Sequence, residues 1–298
     1  MVAPASGAAD RWLARPNNIR LRYRDQGDGP AVVLVHGWAR DLELWDKQTV
    51  ELVSRYRVLR WDRRGFGLST GAPSIAENAA DLVALLDAAS VRRAAVVGMS
   101  QGARVAVQVA RAVPNRIACL VLDGAPPGVA GKDFARTERS RSEDGVPEVP
   151  LSELRRVLAE FGIAALHQAL SQLALLRLVT PDPRVHADLR AIIGRYSGND
   201  LRAPEEASPE LADNQRETFA DTRQPTLLLN GALDSAQRHA ASEAITRTTP
   251  DVERVVLPRA GHLANLDNPA QYTAVVSEFF FASIFPHEGR FTSKHLMR

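Results

Sequence analysis

The pentapeptide Gly98-Met99-Ser100-Gln101-Gly102 holds a serine between two glycines in the spacing G-x-S-x-G. A serine hydroxyl is a weak nucleophile until an adjacent base takes its proton. Glycines on either side leave room for a sharp turn that keeps the hydroxyl clear of the neighbouring backbone. The bare pattern is cheap: at ordinary glycine and serine usage, a chain of this length carries one by chance about one time in ten. Its surroundings give it weight. The apolar run 94–97 precedes it and a helical pattern begins at Gln101, the strand–turn–helix setting that an exposed nucleophile requires.

Seven histidines are available as the base. His262, in Ala260-Gly261-His262, directly follows the last expected strand and precedes the C-terminal helix. That places it at the carboxyl edge of the sheet, where open α/β sheets bind ligands. His36 also ends a strand, but it immediately precedes Gly37 in a tight turn and reads as structural. His167 and His186 fall in an insertion, His239 on a helix, and His287 and His295 in the tail. A histidine base needs a carboxylate to fix its tautomer and stabilise the imidazolium. Asp234, reached from the strand at 225–230 through Gly231-Ala232-Leu233, is the preferred partner, and Asp123, ending the run 117–123 on the same edge, is its rival. Asp62, in Asp62-Arg63-Arg64-Gly65-Phe66-Gly67, reads as a carboxylate that braces a loop.

The tetrahedral intermediate of acyl transfer needs hydrogen-bond donors aimed at its oxyanion. The backbone N–H of Gln101, next after the nucleophile, is one. The backbone N–H of Trp38, in the His36-Gly37-Trp38 loop after the strand at 31–35, is the other, with the Trp38 side chain standing as pocket wall.

Positioning these groups requires a particular scaffold. Short apolar runs at 31–35, 57–61, 94–98, 117–123, 225–231 and 252–257 suit parallel strands buried on both faces. Helical patterns at 42–55, 74–88, 101–113, 235–248 and 268–281 alternate with them, which predicts an α/β protein with one mostly parallel sheet. Residues 19–25 alternate apolar and polar side chains and predict an antiparallel edge strand. Residues 126–224 carry no strand pattern. They are too long for a loop and predict a mainly helical insertion over one end of the sheet. The domain reading is therefore a core of residues 1–125 and 225–298 with a helical cap at 126–224. The tail after Pro286 shows no periodicity.

Composition narrows the function class. Of 298 residues 45% are apolar and 24% charged, enough to build a large core, and the net charge of +2 gives no footprint for nucleic acid. A single cysteine, Cys119, excludes an internal disulfide and zinc-ribbon or iron–sulfur sites, and suits a reducing compartment. No stretch approaches a membrane span, and residues 1–12 carry no apolar run of signal-peptide length, so a soluble, cytoplasmic protein is expected.

Taken together, His36-Gly37-Trp38, Asp62-Arg63-Arg64-Gly65-Phe66-Gly67-Leu68-Ser69, Gly98 to Gly102, Gly231-Ala232-Leu233-Asp234 and Gly261-His262 make the sequence resemble a known family. It is similar to the α/β-hydrolase-fold serine hydrolases of the group containing aryl esterases, perhydrolases (cofactor-free haloperoxidases) and 3-oxoadipate enol-lactonases. The resemblance covers roughly residues 20–125 and 225–282; Ala103 stands where many relatives carry another glycine. It implies an α/β-hydrolase fold with an inserted helical cap, and hydrolysis of a small-molecule carboxylic ester or lactone. The chemistry implied is a Ser100–His262–Asp234 triad and an acyl-enzyme, with no metal or organic cofactor.

Single residues weigh against other chemistries on this fold. Haloalkane dehalogenases and epoxide hydrolases place Asp at the position of Ser100. Proline iminopeptidases typically place Trp where Gln101 stands, and Glu205-Glu206 reads as a solvated charge pair rather than an amine site. Carbon–carbon bond hydrolases and perhydrolases share the triad and stay open, as does a ligand-binding receptor on a hydrolase scaffold, against which the complete triad argues. In the cap, the apolar stripe from Leu154 through Leu173 has to be buried, which predicts a mainly hydrophobic pocket shared with the core and lined by Trp38, Phe161 and Leu166. With only Phe134, Phe161, Tyr196 and Phe219 aromatic there, aliphatic or small cyclic groups are favoured.

Overall fold

The apolar runs from 31–35 to 225–231 become the inner strands of one sheet, whereas the run at 252–257, which alternates buried and partly exposed residues, becomes an edge strand. Every residue of β3 (Ala31–Val35), β5 (Ala94–Met99), β6 (Ile117–Asp123) and β7 (Thr226–Gly231) is buried. The computed structural model describes residues 9–131, 149–202, 219–249 and 251–284. Among these, β1 (Arg11–Arg15), β2 (Ile19–Gln26), β4 (Arg57–Trp61) and β8 (Val252–Leu257) complete an eight-stranded sheet of order β1-β2-β4-β3-β5-β6-β7-β8. From β4 to β8 all neighbours are parallel, while β2 runs antiparallel to both β1 and β4. Parallel neighbours bring the carboxyl ends of β3, β5, β6, β7 and β8 to one edge.

Side chains alternate across the sheet with the period of two that a strand imposes. Val32 and Leu34 enter one core layer and Val33 and Val35 the other. The second layer is closed by α2 (Ile75–Ala88), α3 (Gln101–Ala112) and Ile245 of α7 (Ala236–Thr248). The first is closed by Leu52 of α1 (Asp46–Leu52) and by Tyr272, Val275, Val276 and Phe279 of α9 (Pro269–Ile284). The Ser74 hydroxyl caps α2 by accepting from the Glu77 N–H at 3.3 Å, which stops the helix from extending backwards.

Two elements differ from expectation. The strand begun at Ile19 is not the edge, because β1 lies outside it in Cα register Arg11 to Tyr23 through Arg15 to Ile19. β1 is mostly exposed and carries two arginines, so it has no buried run to announce it. The helix expected at 42–55 divides into a 3-10 turn at Leu42–Trp45, capped by the Asp41 side chain, and the shorter α1.

Between β6 and β7 the chain makes helices α4 (Leu151–Gln172), α5 (Pro183–Gly194) and the short α6 (Asn199–Arg202), with no strand among the described residues of the insertion. Gly162, at φ 81°, breaks α4 into two helices. Leu154, Leu158, Leu166 and Leu170 of α4 belong to the same apolar cluster as the first core layer. Polar ties fasten the insertion to the core: the Asp267 carboxylate of α8 (Ala264–Asp267) accepts from the N–H groups of Val179 and Thr180 at 2.7 and 3.0 Å. Phe134, Glu205-Glu206 and the tail after Pro286 lie outside the described residues. Among the described residues no helix is long and apolar enough to cross a membrane.

Candidate active site

Between β5 and α3 the chain turns on Ser100 alone, at φ 54° and ψ −118°. A positive φ is unfavourable for a residue with a Cβ and persists only where surroundings impose it. The flanking glycines make the turn possible. A Cβ on Gly98 would stand 2.4 Å from the Gly102 carbonyl oxygen, and one on Gly102 would stand 2.3 Å from the Val35 oxygen. The Ser100 N–H donates to the Asp123 carbonyl at 2.7 Å, tying the turn to the end of β6.

His262 follows β8, with Nδ1 3.1 and 3.3 Å from the two carboxylate oxygens of Asp234, which follows β7. With Nδ1–H donating to Asp234, the lone pair that gives the ring its base character belongs to Nε2. Burial pushes the Asp234 carboxyl up, but the charge and hydrogen bond of His262, helped by Arg238, outweigh it and hold Asp234 well below the usual carboxylate range. The backbone N–H of Ser235 adds a hydrogen bond at 2.8 Å. Ser100, Asp234 and His262 thus all follow strands at the carboxyl edge of the sheet, and all are buried.

A family profile described as the alpha/beta hydrolase fold matches residues 30–269, spanning β3 to the start of α9. The chain belongs to the alpha/beta hydrolase fold family. It is 40% identical over 151 residues to a non-heme chloroperoxidase of Streptomyces lividans, a match that spans 48% of this chain and only about half, 52%, of that relative. It is 25% identical to a pimeloyl-[acyl-carrier protein] methyl ester esterase of Pectobacterium atrosepticum over 87% of this chain and 98% of the relative. Among solved structures, the enol-lactonase from Burkholderia xenovorans superposes with a TM-score of 0.70 at 25% identity, covering 91% of this chain and 99% of that one.

In this hydrolase the rival acid is placed differently. Asp123 is fully buried beside Tyr272; burial, followed by the nearby charge of Asp234, pushes its carboxyl well above the carboxylate range. Of the two strand-end aspartates, Asp234 is the one within hydrogen-bond distance of His262. Gly124, which sequence reasoning passed over, makes room for the imidazole: a Cβ there would stand 2.7 Å from His262 Cε1 and Nδ1. Arg238 was also missed, because an arginine on a helix ordinarily reads as solvated. It is 4% exposed, and its Nη1 lies 3.3 Å from Ser100 Oγ and donates to the Gly124 carbonyl.

The loop after β3 forms the other side of the site. The Arg63 N–H donates to His36 Nε2 at 2.9 Å, so the proton sits on Nδ1, which donates to the Gly37 carbonyl at 2.8 Å. Burial and then the charge of Arg63 push His36 well below the ordinary imidazole range, so it is a neutral brace. Arg63 also donates to the Gly37 carbonyl at 3.3 Å and to Gln101 Oε1 at 3.2 Å, joining the residues expected to supply the oxyanion donors. Asp62 braces the loop as its motif suggested, accepting from the N–H groups of Leu42 and Leu68, each at 2.8 Å. Burial and then the neighbouring Asp41 push its carboxyl up to about 7.

Trp38 is held from the insertion. Its indole Nε1 donates to Asp200 at 2.7 Å, and the Tyr196 hydroxyl donates to the other oxygen of the same carboxylate at 2.6 Å. Tyr196 packs edge-on against Trp38 and face-on against Phe66. Arg195 adds ion pairs of 2.6 Å each to Asp41 and Glu43. The two insertion residues expected at the pocket differ in exposure. Phe161 is 64% exposed beside the break at Gly162, and Leu166 is fully buried with its methyl group close to Gly198 inside the insertion.

Proposed function

We propose that this hydrolase cleaves a small-molecule carboxylic ester or lactone through an acyl-enzyme on Ser100. The observation that carries the reading is the convergence, at one sheet edge, of the Ser100 turn and the Asp234–His262 pair. Ser100 Oγ attacks the substrate carbonyl carbon as its proton passes to His262 Nε2, and Asp234 stabilises the imidazolium. The oxyanion is received by the backbone N–H groups of Trp38 and Gln101. When the intermediate collapses, His262 returns the proton to the leaving alcohol; in a lactone, that alcohol stays attached to the acyl chain. Water, deprotonated by His262, then attacks the acyl-enzyme and releases the acid and Ser100. Residues 126–224 act as the cap of this site on the core of residues 1–125 and 225–298. The likeness to a methyl ester esterase and to an enol-lactonase supports the ester or lactone substrate class.

An organophosphorus probe tests this: it should label Ser100 stoichiometrically, and Ser100→Ala should lose labelling together with turnover, by about 10⁴ or more in kcat. Labelling that persists in Ser100→Ala overturns the assignment. The likeness to a non-heme chloroperoxidase favours one second reading, attack of hydrogen peroxide on the same acyl-enzyme to give a peracid. Peracid formation from an ester and peroxide, lost in Ser100→Ala, is its measure.

A further inference from the structure

The turn that carries His262 is fastened from two directions. Upstream, the Ala232 N–H donates to the Leu257 carbonyl at 2.8 Å and the Leu233 N–H to the Ala260 carbonyl at 2.9 Å. These bonds tie the exit of β8 to the turn that carries Asp234. The next residue, Gly261, donates its N–H to Asp267 Oδ2 at 2.8 Å. The Asp267 side chain thus reaches back six positions from the end of α8, and His262 lies within the turn it closes.

The other oxygen of the same carboxylate faces the insertion. Oδ1 accepts from the N–H groups of Val179 and Thr180 at 2.7 and 3.0 Å. The two segments lie close together: a Cβ on Gly261 would stand 3.4 Å from Val179 Cγ2 and 3.5 Å from the Arg177 carbonyl oxygen. Thr180 is held in turn by His186 of α5, whose Nε2 donates to its carbonyl at 2.8 Å. Asp267 lies two residues before Pro269, the start of α9, where a carboxylate ordinarily serves the helix that follows. Here both oxygens are turned to other segments of the chain. Hydrogen bonds to a charged acceptor are stronger than neutral ones, and this carboxylate accepts three from backbone.

The imidazole has little room for displacement. Its Nδ1 is 3.1 and 3.3 Å from the Asp234 oxygens, whereas N–H···O bonds fall at about 2.7–3.2 Å. The shorter contact is already at the long end of that range, so a shift of a few tenths of an ångström outward breaks it. Misplacing a reacting group by about 1 Å can cost on the order of 10²-fold in rate.

We propose that Asp267 is a positioning residue for His262, holding the base at Asp234 by bridging the Gly261 N–H to the backbone of the insertion. It touches no reacting atom and acts through Gly261. This rests on the ester-hydrolase reading above, in which His262 is the base.

The test follows hydrolysis of 4-nitrophenyl acetate and the proton resonance of His262 Nδ1–H in the full-length protein, with Asp267→Asn and Asp267→Glu beside wild type. Asparagine keeps the size of the side chain but puts an NH₂ donor where one oxygen accepted, so one of the two sides is lost. Asp267→Asn should lower kcat by about 10- to 100-fold and leave KM nearly unchanged. The downfield Nδ1–H resonance, identified by its absence in His262→Gln, should move upfield or vanish. Asp267→Glu keeps both acceptor oxygens and should restore part of kcat and of the resonance. An unchanged kcat in Asp267→Asn overturns the proposal. So does an unmoved resonance, including the case in which activity falls through folding or loss of charge alone. If Asp267→Asn does not fold, Asp267→Ser takes its place with the same expectations. Failure of both to fold overturns the proposal, since Asp267 is then a determinant of the fold rather than of the base. Failure of the ester-hydrolase reading shows separately, as no turnover by wild type, and the resonance comparison then decides alone.

Discussion

The half of the site around Ser100, Asp234 and His262 is assembled from strand ends of one sheet, whereas the half around Trp38 is assembled where the loop after β3 meets the inserted helices. In the first half each residue is one short turn from a fully buried strand or, for His262, from β8. Backbone hydrogen bonds such as Ser100 N–H to the Asp123 carbonyl set its geometry. In the second half the anchors are side chains from far along the chain. Asp200 binds the Trp38 indole across 162 positions, and Arg195 binds Asp41 across 154. The contrast teaches a division of labour. The sheet fixes the positions of Ser100, Asp234 and His262, while the loop that carries Trp38 takes its position partly from the insertion.

The hardest break falls on the sheet-built half. Asp234→Asn should lower kcat by about 10⁴ by favouring the wrong imidazole tautomer, with little change in the far-ultraviolet circular dichroism. A loss of this size in Asp123→Asn, and none in Asp234→Asn, would transfer the acid to β6.

On the insertion side the break should be smaller and should couple to stability. Asp200→Ala leaves two buried donors, the Trp38 indole and the Tyr196 hydroxyl, without their acceptor, at a cost of about 1–3 kcal/mol in denaturant unfolding. If the tie positions the oxyanion loop, kcat should fall roughly tenfold and KM much less, because the lost interaction belongs to the transition state. Trp38→Phe removes the indole donor and keeps the backbone N–H. Its effect should combine non-additively with Asp200→Ala, as for residues in one network. Strict additivity of the two would mean that Trp38 and Asp200 act independently.

A milder effect distinguishes the two aspartates by pH. The folded protein keeps Asp123 protonated well above the usual carboxylate range, while the unfolded chain ionises it near 3.8. Stability is therefore undiminished by Asp123 below that value and is lost as pH rises through the window up to the raised folded value. Asp123→Asn removes this loss, so its Tm advantage over wild type should grow between about pH 4 and pH 7. A Tm difference that is flat with pH would show that Asp123 is not held protonated.

The smallest effect is expected at the exposed end of α4. Phe161→Ala should change stability by about 0.5 kcal/mol or less and leave the ester chain-length profile of kcat/KM unaltered. A changed profile would place Phe161 at the pocket, where the stripe in the sequence puts it.

Legibility followed the range of the interactions. The strands at 31–35, 57–61, 117–123 and 252–257 have the same bounds in the structure as in the sequence pattern, and the first and third, every residue of which is buried, show why: a strand buried on both faces is almost wholly apolar. β1 was not legible because an exposed edge strand imposes no such demand. The stripe of α4 was legible as a stripe, but Gly162 turns the chain between Phe161 and Leu166, so one helical face became two.

What the sequence determined by itself is the set of local devices: the alternation of strand and helix, and the Gly98–Ser100–Gly102 turn. In each case the sterics of adjacent residues leave one solution. Only the tertiary structure decided which of two strand-end aspartates meets His262, and that Gly124 makes way for the imidazole. It alone brought Arg238 to Ser100 from 138 positions away and set Asp200 under the Trp38 indole. Those contacts depend on how strands order themselves and how the inserted helices settle on the sheet. That arrangement is fixed by packing summed over the whole molecule, so no short stretch of residues encodes it.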